Sequence, residues 1–321
     1  MLDLVIIGAG PAGISAAYEA KKLGKEYVVI ERGLIANTVY QYPVGLTVFS
    51  TTDELELESG DLKPVRDKPT REELLSYYVK FVLDQGLDVR TEEPVLSVEK
   101  QGEAFVVRTD KGSYSTSKVL FAIGAMDHPK KLGVPGEDLP KVHDLFRETY
   151  PWVRKRALIV GGGNSAGEAA LFLAEEGAET TLAIFRNDWE ETDPKQGCIK
   201  YWVKGPLEEQ VGKRCLNLFF LGEIVEIRDN AVIMKDEDGR ICELENDVVF
   251  VLIGSDADLS ILRSIGVETV AGKYGPVPVY DPVTFETNVE GVYVVGHFTN
   301  ERHIKGAIEV PKRIVPKMFG M

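Results

Sequence analysis

Val5-Ile6-Ile7-Gly8-Ala9-Gly10-Pro11-Ala12-Gly13 is the stretch whose reading decides the fold of this 321-residue chain. Its apolar run reads as a buried strand, and its three glycines let the backbone turn sharply and approach a pyrophosphate. Pro11 opens a helix, Ala12 to about Leu23 with Gly24 as its stop, whose positive end points at the phosphates. A second apolar run, Tyr27-Val28-Val29-Ile30, ends on Glu31, about 20 residues on, where a carboxylate hydrogen-bonds a ribose hydroxyl. Glycine turns also join strands to helices for purely structural reasons. Strand, turn, helix and carboxylate in this order make the stretch a dinucleotide site.

Working outward, residues 33–69 lack a clear period and are too long for a simple connection. Their hydroxyls and aromatics, among them Thr38, Tyr42, Thr47, Phe49, Ser50 and Thr51, favour a functional loop. Thr70 or Asp67 caps a helix, Arg71 to Gln85, with Leu74, Tyr78 and Phe81 on its core face. Three short strands follow, Val95 to Glu99, Phe105 to Thr109 and Tyr114 to Ser117, and lead to the apolar run Val119 to Gly124.

Past the proline- and glycine-rich boundary Pro129 to Gly136 the plan restarts. Arg156 to Val160 is a strand, Gly161-Gly162-Gly163-Asn164-Ser165-Ala166 a second glycine turn, and a helix to about Glu176 precedes the strand Thr180 to Phe185. Short strands near Leu218 to Phe220, Ile224 to Ile227, Ala231 to Lys235 and Ile241 to Glu245 come next, and Val249 to Gly254 closes the unit. This pseudo-repeat implies two nucleotides. The last part, with a buried strand at Gly291 to Gly296 and a helix from about Arg302 to Lys317 that Pro311 kinks or restarts, has no nucleotide turn of its own and completes the first domain.

The expected fold class is therefore α/β, with two Rossmann-like dinucleotide-binding domains, each carrying a three-strand β-meander, the second inserted in the first. The expected boundaries are 1–124 and 255–321 for an FAD-binding domain and 125–254 for an NADPH-binding domain. The long loop and the C-terminal return suit a large, permanently held cofactor such as FAD, and the compact second unit suits one that comes and goes. Arg186 stands where the first unit has Glu31, so a 2′-phosphate and NADPH are favoured, with Asp188 and Glu190 nearby opposing.

A formal charge of −14 argues against nucleic acid or an anionic membrane as partner. No apolar stretch approaches the roughly 20 residues of a membrane span, and a cytoplasmic location is expected. Cys198, Cys215 and Cys242 are far apart, with neither CxxC nor metal-ligand spacing, so no metal is expected and a reducing compartment fits.

These residues resemble the two-dinucleotide-binding flavoproteins of the low-molecular-weight thioredoxin reductase type. Phe121-Ala122-Ile123-Gly124 with Leu132-Gly133-Val134-Pro135-Gly136-Glu137 is similar to that type's inter-domain junction. The bacillithiol disulfide reductase branch is more similar still. Phe49-Ser50-Thr51-Thr52-Asp53-Glu54-Leu55-Glu56, Arg71 with Tyr77-Tyr78, Gly162 to Ala166, and Ile199-Lys200-Tyr201-Trp202-Val203 carry that resemblance. It implies hydride transfer from NADPH through FAD to a low-molecular-weight disulfide or a small redox protein such as ferredoxin or flavodoxin, in a homo-oligomer, a homodimer. A redox-sensing flavoprotein with little turnover is the alternative from another class, and a flavin monooxygenase is disfavoured.

For FAD, the residues so assigned are Gly8, Gly10, Pro11, Ala12, Gly13, Glu31, Thr47, Ser50, Thr51, Val95, Ala122, Gly124, Gly296, His297 and Lys305. NADPH is assigned Gly161, Gly163, Asn164, Ser165, Ala166, Arg186, Lys200 and Gly254. His297 and Lys305 are the catalytic candidates: His297 as hydrogen-bond partner or proton source, and Lys305 at a helix start where amides stabilise negative charge on the reduced ring. His128 and His143 read as surface or hinge residues.

The chain departs from the pattern in three ways. Asp144 and Arg147 stand near the positions where thioredoxin reductases carry their CxxC, which excludes direct dithiol reduction of thioredoxin. Ala12 stands where the branch often has a cysteine, and Gly296-His297 where Gly-Asp is usual.

Overall fold

The computed structural model describes residues 1–193, 199–273 and 275–321, and Cys198 lies outside the described residues. The chain divides into two compact units, Met1–His128 with Asp256–Met321, and Pro129–Ser255. Its two passages between them, at 128/129 and 255/256, fall four residues and one residue beyond the expected boundaries.

In the first unit, β1 (Leu4–Ile7), α1 (Pro11–Lys22) and β2 (Tyr27–Ile30) form the opening βαβ step. Two one-turn helices, α2 (Asn37–Tyr40) and α3 (Thr52–Leu55), interrupt the long loop before α4 (Arg71–Asp84) and β3 (Val89–Arg90). Thr70, not Asp67, caps α4, in a capping box with Glu73. The meander is β4 (Val95–Gln101), β5 (Ala104–Thr109) and β6 (Ser113–Thr116), followed by β7 (Val119–Phe121) and β8 (His128–Pro129).

The second unit runs through β9 (Val142–His143), β10 (Arg156–Val160), α5 (Asn164–Glu175), β11 (Glu179–Ile184), α6 (Arg186–Glu190) and α7 (Tyr201–Gly212). Then come β12 (Leu216–Ile227), β13 (Ala231–Asp236), β14 (Ile241–Glu245), β15 (Val248–Val251) and β16 (Ser255–Asp256). Back in the first unit, α8 (Ser260–Ser264) and a hairpin, β17 (Thr269–Gly272) and β18 (Gly275–Pro278), precede β19 (Val292–Val294) and α9 (Ile304–Met318).

The first unit's central sheet is parallel in the order β19-β7-β1-β2-β3. Because strand side chains alternate, Leu4 and Ile6 face the helices, with Ile14, Leu74 and Ile308, while Val5 and Ile7 face the meander, with Phe105 and Val107. Both faces are buried, and this is why β1 reads as an unbroken apolar run.

The second sheet has the order β14-β13-β12-β11-β10-β15-β9. Here β12 corrects the sequence reading. The two short strands expected near 218–220 and 224–227 are one strand of 12 residues, parallel to β11 in its first half and antiparallel to β13 in its second. Bulges between Leu221 and Glu223 and between Ile224 and Glu226 let it bend from one role to the other.

Nor does α9 restart at Pro311. It runs as one helix through Pro311 and Pro316, held by the burial of Ile308, Val310, Ile314 and Val315 and by the Ser15 hydroxyl, which donates to Ile308 O at 2.7 Å.

Candidate active site

The glycine turn of the first unit is fixed by close approach. Gly8 has φ +107°, and a Cβ there would fall 2.4 Å from Ala122 O, while a Cβ on Gly13 would fall 1.8 Å from Gly8 O. Together they let α1 and β7 close on the turn. A Cβ on Gly10 would meet nothing within 4 Å, leaving open space above the start of α1. Gly10 is the N-cap residue, and no side chain caps the helix among the described residues, so its first amides are available to an anion. Glu31 is buried: its Oε2 accepts from Ala9 N at 2.8 Å and its Oε1 from Gly33 N at 2.7 Å.

A long cavity extends from this turn, lined by residues from both sequence segments of the first unit. Of the residues assigned to FAD from the sequence, Gly8, Gly10, Pro11, Ala12, Glu31, Val95, Ala122, Gly124, Gly296 and His297 lie on its wall. Gly13 serves the packing of α1 on the turn and is not on the wall.

Four other assigned residues are also placed elsewhere. Thr47 is exposed and bridges to Thr70, and Thr51 caps α3 in a box with Glu54. Ser50 lies between them, off the cavity. Lys305 is exposed and pairs with Asp53 at 3.8 Å; the adjacent His303 and Ile304 take the wall position instead. One residue along a helix rotates a side chain by about 100°, so the helix start is on the cavity while its lysine is not. No side chain caps α9 among the described residues.

His297 is reached by solvent from the cavity, yet the protein around it strips enough water to push its imidazole down to about 4, with Arg302 and His303 adding to the effect. Its neutral form therefore holds at pH 7, and that form can donate or accept a hydrogen bond. His143 is corrected too: it packs against Trp152 and Phe250, with ring centroids 5.3 and 5.5 Å away.

Sequence reasoning missed part of the wall. Asn37, Gln41, Arg32, Asp127 and Asp258 line it without a motif to announce them. Arg32 pairs with Asp127, and Asp127 Oδ2 accepts from Asp258 N at 3.2 Å, tying three distant segments together. The loop that supplies Asn37, Thr38, Gln41 and Tyr42 is anchored on α4, where buried Arg71 donates through Nη2 to Tyr40 O at 2.6 Å and Gly45 N donates to Glu72 Oε1 at 3.3 Å.

The second unit repeats the turn. A Cβ on Gly161 would fall 2.4 Å from Leu252 O and 2.9 Å from Ala166 Cβ, while Gly163, the N-cap of α5, is open in the same way as Gly10. Asn164 Oδ1 accepts from Lys200 N at 2.8 Å, so it is the Lys200 backbone that is tied to the turn. Ser165 is exposed beside it, and Gly254 has φ +100° at the end of the segment after β15. Arg186 donates through Nε and Nη2 to Glu237 at 2.6 and 2.5 Å and through Nη1 to Glu190 at 3.2 Å.

Further along α5, burial pushes the Glu168 carboxyl up to about 7. Because its folded value lies above its unfolded one, the associated stability is complete below about pH 4.5 and is lost as pH rises toward 7. Glu168→Gln is therefore expected to raise the melting temperature of the holoprotein by ~5 °C at pH 8. Melts at pH 8 and pH 4.5 check this, and the gain should vanish at the lower pH.

Two glycine turns, each following a strand with parallel neighbours and opening a helix that no side chain caps among the described residues, define a protein that binds two dinucleotides. The chain belongs to the pyridine nucleotide-disulphide oxidoreductase family, whose model matches residues 5–296. It is 37% identical over 295 residues to the bacilliredoxin reductase Bdr of Bacillus subtilis (strain 168), covering 91% of this chain and 88% of that one. The bacillithiol disulfide reductase Bdr (YpdA) of Staphylococcus aureus has a similar structure, with TM-score 0.92, 31% identity, and coverage of 99% and 98% of the two chains. A ferredoxin–NADP reductase of Ignicoccus hospitalis is 28% identical, covering 98% of this chain and 93% of that one. This chain is an FAD-dependent oxidoreductase that uses NADPH. No helix among the described residues is long and apolar enough to cross a membrane.

Proposed function

We propose that the protein reduces a low-molecular-weight disulfide of the bacillithiol type with electrons from NADPH, as a cytoplasmic homo-oligomer. The observation that carries this reading is likeness over nearly the whole chain to the two Bdr reductases. In this reading the first unit's cavity would hold FAD and the second unit's turn would hold NADPH, and the bound flavin would supply the hydride-accepting and electron-delivering chemistry.

The chain's own part is binding and charge placement. The first amides of α1 hold the pyrophosphate, and Glu31, already fixed by two backbone N–H groups, has lone pairs left for ribose hydroxyls. The start of α9, standing on the cavity through His303 and Ile304, offers a positive helix end to negative charge on the ring. His297, neutral, donates or accepts a hydrogen bond at the same wall. Exposed Cys215 and partly exposed Cys242 are unpaired, which fits a reducing compartment.

A second reading is favoured by one specific observation. All three cysteines, Cys198, Cys215 and Cys242, belong to the sequence of the second unit, and Ala12 is on the cavity wall where a thiol would relay electrons to a disulfide. Without such a thiol, electrons pass to the acceptor directly, as a ferredoxin or flavodoxin requires.

Steady-state NADPH oxidation by the purified holoprotein, with bacillithiol disulfide, ferredoxin and flavodoxin supplied separately, tests the two. Turnover with the disulfide is expected. Turnover with a one-electron carrier alone would replace the first reading by the second, and no turnover with any of them would favour a sensing flavoprotein.

A further inference from the structure

In the first unit, the carboxylate just after β2, Glu31, reaches back to the middle residue of the glycine turn and accepts from Ala9 N at 2.8 Å. Gly162 is the matching residue of the second turn, and the Asp188 side chain lies directly against it. A methyl carbon built on Gly162 would fall 2.4 Å from Asp188 Oδ2 and 2.9 Å from its Cγ. An alanine such as Ala9 at 162 would therefore force the Asp188 side chain to shift, and glycine leaves room for the carboxylate where it stands. Partial burial pushes the Asp188 carboxyl above its ordinary value, in keeping with this packing.

Arg186, the residue expected to receive a 2′-phosphate, is engaged elsewhere. Its guanidinium donates to both Glu237 and Glu190 and stacks on Phe220, 3.8 Å from the ring centroid. Two carboxylates more than offset its charge. A carboxylate beside a dinucleotide turn accepts from the ribose 2′-hydroxyl and repels a phosphate in the same place.

We propose that Asp188 is a coenzyme-selecting residue, through which the second unit takes NADH as a second hydride donor and its preference for NADPH is held down. The proposal rests on the reading of the chain as a nicotinamide-driven flavin reductase, but not on the identity of the acceptor.

Anaerobic stopped-flow reduction of the bound flavin, with no acceptor present, provides the first test. The wild-type holoprotein is expected to be reduced by NADH with a second-order rate constant within about tenfold of that for NADPH, and Asp188→Asn to move the ratio toward NADPH by about tenfold or more. Calorimetric titration with ADP-ribose and 2′-phospho-ADP-ribose provides the second. Asp188→Asn should tighten the phosphorylated ligand selectively.

No reduction of the wild type by NADH, or an equal change for both ligands in the variant, would overturn the proposal. Flavin left oxidised by both coenzymes, with the selective tightening intact, would overturn the reductase reading and support the role of Asp188.

Discussion

Gly13→Ala is expected to yield protein that carries no FAD and is destabilised by about 3 kcal/mol. The methyl group would be placed 1.8 Å from Gly8 O, a backbone atom in the turn itself. It has no flexible side chain to push aside. Either α1 lifts from β1, breaking the contacts of Ile14 and Ala17 with the buried strands, or the turn opens and Gly8 leaves its place beside Ala122 O. Both responses disperse the helix amides and Glu31, the groups proposed above to hold the pyrophosphate and ribose. Absorbance of the purified protein and its thermal melt are the measurements. Gly10→Val separates the two effects: its side chain enters open space, so the apoprotein should melt as the wild-type apoprotein does while still failing to hold FAD.

Gly163→Val is the counterpart in the second unit, with the opposite colour. A Cβ at Gly163 meets nothing within 4 Å, and the residue precedes α5, where extended φ and ψ are tolerated by valine. The fold is therefore expected to be kept and FAD retained. The added side chain occupies the space through which a pyrophosphate approaches the α5 amides, and losing about 3 kcal/mol of binding weakens NADPH by ~100-fold. Flavin reduction by NADPH, measured against coenzyme concentration, should show that rise at an unchanged flavin content. Unaltered reduction would remove NADPH from this turn.

Much of this was legible in the sequence because nucleotide turns are local. Gly8 to Gly13 and Gly161 to Ala166 announce themselves through backbone requirements that only certain residues meet, and the flanking strands are unbroken apolar runs because both of their faces are buried. The first unit's meander was legible as short strand-like segments leading to an apolar run. The remainder depends on direction and on assembly, and neither is written in a short window. Lys305 and His303 are two residues apart, yet only His303 faces the cavity. Asp127 and Asp258 meet across 131 positions.

The long strand Leu216–Ile227 reads as two pieces because its bulges interrupt the alternation by which a strand is recognised. Pro311 signals a break that tertiary packing overrides: the apolar face of α9 is buried around it, and that burial outweighs one missing hydrogen bond. His297 has an ordinary sequence context, and only the packing around it shows that its imidazole is held neutral.

The claim on which the rest depends is that one chain holds two dinucleotides in electronic communication. Anaerobic mixing of the purified protein with NADPH measures this most directly, followed by the visible flavin band. The expected result is a yellow protein with one FAD per chain that bleaches on addition of NADPH and recovers its colour when an acceptor is admitted. A colourless protein that does not take up FAD, or bound flavin that stays oxidised with both NADPH and NADH, would contradict it.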